Sequence, residues 1–64
     1  MGHEDFVYLS PGQLSELIGV SVSTLMYWRQ EGTGPPYSKL GRHVRYERSD
    51  VRAWAEGSKR DRTN

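Results

Sequence analysis

Residues 10–32 read SPGQLSELIGVSVSTLMYWRQEG, and this stretch decides the fold. Ser10 is a preferred N-cap residue, and Pro11 falls at the first helical position, where its missing N–H costs nothing. Gln13 stands three after Ser10 and completes a capping box, while Leu9 and Leu14 have the spacing of a hydrophobic staple. Leu14, Leu17 and Ile18 follow at i, i+3 and i+4, which predicts one apolar stripe turned to a core. Gly19 supplies the stop. A second helix starts almost at once, capped by Ser21, with Val20 and Leu25 repeating the staple. It runs to about Glu31 and ends at Gly32. Leu25 and Trp28 share its inner face, bordered by Thr24. The opposite face carries Val22, Ser23, Met26, Tyr27 and Gln30. A merely solvated face would more often carry Glu and Lys.

Two short helices joined through Gly19 and Val20 have the loop length of a helix-turn-helix. Beyond them, Gly32-Thr33-Gly34-Pro35-Pro36 reads as a stiffened connector, since Pro36 pushes the chain to extended geometry. Residues 37–46, YSKLGRHVRY, read as a hairpin. Its alternation predicts Leu40, Val44 and Tyr46 inward, with Lys39, His43 and Arg45 outward. Gly41-Arg42 suits a two-residue loop of type II′, which prefers Gly first. A third helix is expected near Ser49-Asp50, with Val51, Trp54 and Ala55 as its apolar positions. Glu47, with a Tyr46–Val51 staple, is an alternative cap. The expected fold is mainly α with a small β-hairpin, a winged helix-turn-helix. Its domain spans residues 8–56, between a flexible N-terminus over 1–7 and a basic flexible tail over 57–64.

The chain has 64 residues, Cys 0, and a net charge of +1. That length holds one domain, which buries only about 60% of its unfolded surface, with no disulfide or thiolate–zinc staple to help. No apolar run approaches the roughly 18 residues of a membrane span, and MGHEDF lacks a signal-peptide core. A cytoplasmic location, away from membranes, is expected. The charge is unevenly placed. Residues 1–28 carry three acids and no Lys or Arg; residues 29–64 carry nine basic residues against five acids, a local +4. Such asymmetry points to a polyanionic partner.

Duplex DNA asks for cations that meet phosphates and one element slim enough for the major groove. The second helix offers the element. Ser23, Met26, Tyr27 and Gln30 can reach base edges or phosphates, Met26 packing on a thymine methyl and Gln30 pairing with adenine. Arg29 lies on the flank, where a phosphate is the expected contact. Ser21 caps the helix at an end that attracts phosphate. The hairpin offers the cations: Lys39, Arg42, His43 and Arg45 surround its turn, and Arg48 follows. A wing tip of this kind enters the minor groove or tracks its phosphates. Charge on an edge hairpin also protects against aggregation, but here no local acids balance it. Trp28, Trp54 and Tyr46 fall in register with the apolar stripes and are expected in the core.

Catalytic readings find no support. There is no Cys nucleophile, no G-x-S-x-G elbow and no phosphate-cradling Gly loop. His3 and His43 are too isolated for a zinc site or a proton relay. A non-enzyme without metal or cofactor is expected.

The string from Tyr8 to Trp54 resembles the small winged helix-turn-helix excisionases and AlpA-like regulators related to the MerR DNA-binding domain. The telling pieces are Gly19-Val20-Ser21 with Thr24-Leu25 and Trp28, Gly34-Pro35-Pro36, Lys39-Leu40-Gly41-Arg42, Val44-Arg45-Tyr46, and Ser49-Asp50 with Trp54. The resemblance implies that Val22, Ser23, Met26 and Tyr27 face the major groove while Arg42, His43 and Arg45 act from the wing. Many relatives carry Arg or Lys at the positions of Val22, Ser23 and Met26, and this chain does not. More of the affinity then falls to phosphate contacts and DNA shape. The resemblance further implies a phage recombination directionality factor, which binds repeated DNA sites head to tail, bends them and steers an integrase towards excision. A stand-alone transcriptional regulator and a protein-interaction adaptor are the alternatives.

Overall fold

Local hydrogen bonds set where each helix begins and ends. The computed structural model describes residues 7–59. Helix α1 spans Pro11–Ile18 and α2 spans Val22–Glu31. At the start of α1 the capping box closes in both directions. Ser10 Oγ accepts from the Gln13 N–H at 3.1 Å, and Gln13 Oε1 accepts from the Ser10 N–H at 2.9 Å. Gly19 ends the helix with φ 74°, and Ser21 Oγ then accepts from the Thr24 N–H at 3.1 Å to open α2. Each such cap contributes about 1 kcal/mol. The third helix, α3, spans Arg48–Gly57 with Glu47 at the N-cap position. The alternative cap is therefore the one realised, and its staple partners Tyr46 and Val51 are both buried. Glu47 makes no side-chain cap bond, so the staple holds this end.

Three strands complete the domain: β1 (Tyr8–Leu9), β2 (Ser38–Leu40) and β3 (His43–Glu47), ordered β1-β3-β2 and antiparallel throughout. The sheet thus has one strand more than the expected hairpin. Leu9 pairs with Tyr46 and Tyr8 with Glu47, and the Arg48 N–H donates to the Val7 carbonyl at 2.8 Å. Two residues are too few to show an alternation, which is why β1 leaves no periodic signature. Of the N-terminus expected to be flexible, residues 1–6 lie outside the described residues, and Val7 is tied down. Of the basic tail, residues 60–64 lie outside; Gly57 is the last residue of α3, and Ser58 bonds back to the Trp54 carbonyl.

The hairpin turns at Gly41-Arg42 as expected. Leu40 pairs with His43, and φ is positive at Gly41 alone, as a type II′ turn requires. The expected facing of β2 is nevertheless corrected. Residues paired across a two-residue loop share a face, so odd and even positions exchange roles on crossing it. Lys39 pairs with Val44 and lies on its face, whereas Leu40 shares the face of His43 and is 47% exposed.

Leu14, Leu25, Tyr46 and Val51 form the core, with Leu9, Ile18, Val20, Trp28 and Val44 packed around them. Trp28 and Trp54 meet at 5.7 Å between ring centroids, tilted by 53°, so the two helices share an aromatic contact. Pro35 is buried as well. Two expected core residues stand outside: Leu17 is 59% exposed and Ala55 is exposed. Both line a shallow groove with Ile18, Arg48, Val51 and Arg52, because α3 is anchored through Val51 and Trp54 and leaves the end of α1 uncovered.

The connector is shaped by Trp28. Gly34 has φ +83°, and a Cβ there would lie 2.9 Å from Trp28 Cε3. Gly19 has a similar φ of +74° but open space around it. Gly19→Ala therefore costs only the left-handed conformation, about 1–2 kcal/mol. Gly34→Ala adds overpacking against Trp28, for about 2–5 kcal/mol in all. Urea unfolding followed by circular dichroism checks the order; equal losses would remove the Trp28 contact from the explanation.

Candidate nucleic-acid interface

The sharp turn at Gly19 and the anchoring of Val20 on the core present α2 with one face in and one face out. Leu25 is fully buried and Trp28 half-buried on the inner face. Val22, Ser23, Met26, Tyr27 and Gln30 are all exposed on the outer one, and Tyr27 is the most open of its large apolar side chains at 58%. No acid stands in the first turn of α2. Ser21 is committed to the fold: besides accepting from the Thr24 N–H, its hydroxyl donates to Thr24 Oγ1 at 3.0 Å. The phosphate-attracting role expected of it would therefore act through the helix end it organises.

The hairpin stands beside this helix. Met26, Arg29 and Gln30 from α2 and Tyr37, Lys39 and Val44 from the hairpin side line a common groove. Lys39 reaches it because of the exchange of faces described above. Arg42 and His43 are exposed at the turn, with Leu40 beside them. Arg45 is half-buried, and its Nη1 donates to the Val44 carbonyl at 2.7 Å, folding the guanidinium along its own strand. Arg48 is separate from the wing. It opens α3, and its side chain lines the groove beside Leu17 and Arg52.

Arg29 is held more firmly than its flank position on the helix suggests. Its Nη1 donates to the Tyr46 hydroxyl at 2.8 Å, and its guanidinium lies 5.8 Å from the centroid of the Tyr37 ring. Tyr37 and Tyr46 are themselves 6.2 Å apart. Sequence reasoning missed Tyr37. The signal available was its place directly after Pro35-Pro36, where the chain is forced into extended geometry and swings back towards α2.

The ion pair among the described residues joins Lys59 to Glu56 at 3.5 Å, in α3 and just beyond it. Lys39, Arg42, Arg48 and Arg52 thus have no acid among the described residues within ion-pair distance. Cations without partners raise the local concentration of polyanions. The Tyr46 hydroxyl links this charged surface to the core, so Tyr46→Phe, which leaves the ring in place, is expected to cost about 1 kcal/mol. Thermal unfolding checks it; an unchanged midpoint would mean that the Arg29 bond is lost to water at no cost.

No helix among the described residues is long and apolar enough to cross a membrane. Comparison with known proteins is consistent with this architecture. Searches of curated proteins and of solved structures return no match. The model of a helix-turn-helix domain family matches residues 8–59, from the first residue of β1 to just past α3. With an exposed helix and a cationic hairpin both inside that match, the chain belongs to the helix-turn-helix domain family, whose members include AlpA-like and excisionase-like DNA-binding domains.

Proposed function

We propose that this protein is an architectural factor for double-stranded DNA, of the excisionase type. It binds repeated sites cooperatively, head to tail, bends the DNA and directs a phage integrase towards excision. The observation that carries the reading is a division of labour across the surface. The exposed face of α2 has no Lys or Arg ahead of Arg29, while Lys39 and Arg42, with no ion-pair partner among the described residues, stand on the hairpin beside His43. A protein so arranged draws most of its affinity from phosphates, and its specificity from a few base edges and from DNA deformability. One module of this size buries little DNA surface, so useful occupancy requires neighbours on adjacent sites. Open head-to-tail contacts between such neighbours accumulate into a progressive bend.

Val22, Ser23, Met26, Tyr27 and Gln30 then meet the major groove, and Arg42 and His43 meet the flanking backbone or minor groove. Four to six phosphate contacts give a slope of about −4 to −5 in log affinity against log salt. Arg42→Ala is expected to weaken binding on all sequences and to flatten the slope by about one. Tyr27→Ala or Gln30→Ala should instead change which sequence is preferred. Footprinting on DNA from the source genome, at two salt concentrations, tests the whole reading. Cooperative protection of closely spaced repeats beside an attachment site supports the excisionase. A single protected site over a promoter would replace it with a transcriptional regulator. No protection at low salt would replace it with a protein-interaction adaptor.

A further inference from the structure

Resting on that DNA-binding reading, we infer that Arg29 and Lys39 together form a seat for one backbone phosphodiester, at the junction of recognition helix and hairpin, and that Tyr37 is the residue that positions Arg29 for it. Both cations line the same groove, one from α2 and one from β2, and no acid lines it with them. The Arg29 guanidinium is restrained on two sides. Nη1 donates to the Tyr46 hydroxyl at 2.8 Å, and the Tyr37 ring lies 5.8 Å away. One nitrogen is thereby engaged, and the edge formed by Nε and Nη2 has no partner among the described residues. That edge is the one that meets a phosphate through two parallel hydrogen bonds.

Two facts favour a phosphate over a base. Arg29 is half-buried on the flank of α2, set back from the exposed face that carries Tyr27 and Gln30. And Lys39 converges on the groove as a second cation, a point charge that recognises phosphate without reading a base edge. A tetrahedral anion accepts from both directions at once. A guanidinium already held by a buried hydroxyl loses little freedom when it binds, which is the general benefit of preorganisation. Tyr46 belongs to the core, so the seat is referenced to the folded centre of the domain. A phosphate held there fixes the depth and register of α2 in the groove.

The experiment uses the full chain and a duplex carrying the footprinted site, with single phosphates replaced in turn by uncharged methylphosphonates. For the wild-type protein, the seat is expected to be one of the positions at which replacement weakens binding, there by about ten- to hundredfold. Arg29→Gln and Lys39→Gln should each lose most of their sensitivity at that same position and keep it elsewhere. Tyr37→Leu should weaken binding and reduce the salt slope by about one, whereas Tyr37→Phe, which keeps the ring, should bind as the wild type does. A purely structural role for Tyr37 would lower the unfolding midpoint and leave the slope alone, which overturns its positioning role. If Arg29→Gln and Lys39→Gln lose sensitivity at different phosphates, the shared seat is overturned. If Arg29→Gln loses the wild type's sensitivity to replacement of a guanine but keeps it at every methylphosphonate position, Arg29 reads a base and the inference fails. The methylphosphonate series on the wild-type protein stands even if Tyr37→Leu fails to fold. A wild-type protein that binds no duplex at all overturns the DNA-binding reading, and this one falls with it.

Discussion

Tyr46 is the side chain on which the arrangement depends. Only 1% exposed, it belongs to the core of Leu14, Leu25 and Val51. Its backbone pairs with Leu9 of β1, and it stands one residue before the cap of α3, in staple position to Val51. Its hydroxyl leaves the core and accepts from Arg29 on α2. One residue therefore ties the N-terminal strand, the hairpin, α2 and the last helix together. In a 64-residue chain without cysteine the core has few members, so a side chain with this many partners carries a large share of the cooperativity. The phenol is also the right chemical choice. A phenylalanine fills the same volume but offers the guanidinium nothing, and an arginine held over the core edge needs an acceptor.

The helices were legible in the sequence because their ends are written in local chemistry. The capping box of Ser10 and Gln13, the Ser21 cap and the left-handed glycines at 19 and 32 depend on neighbours within four residues. The parts that were not legible depend on residues far apart. Strand β1 exists because β3 offers an edge, and nothing within residues 8–9 announces it. The fate of Leu17 depends on where α3 lies, which is decided by Trp28, Trp54 and Val51. The facing of Leu40 and Lys39 is a different case. Gly41-Arg42 reads as the loop, but simple alternation runs straight through it, whereas pairing across two residues reverses the parity. The turn type already contained the correction.

At the candidate site the outward face of α2 follows from periodicity alone, as does the crowding of cations around the hairpin turn. Arg29, Arg45 and Arg48 are less alike than their charges suggest. Arg29 is held against two tyrosines, Arg45 bends back onto its own strand, and Arg48 opens α3 away from the wing. A charge pattern in one dimension treats them as equivalent. Distance in the fold separates them, because a guanidinium on a long stem takes whichever acceptor or ring the tertiary structure brings near.

The connector between α2 and β2 joins these two halves of the site. Trp28 leaves no room for a Cβ at Gly34, and Pro35 is buried, so the chain leaves the helix in one direction. Tyr37 then lands against Arg29 and Tyr46. The spacing between the exposed helix face and the hairpin cations is thus set by a contact inside the domain. On the proposed reading, in which DNA is met largely through its phosphates, that spacing is itself a form of specificity. Phosphate positions vary with groove width and bending, and a rigid pair of elements binds best where the duplex already has, or readily takes, the matching shape.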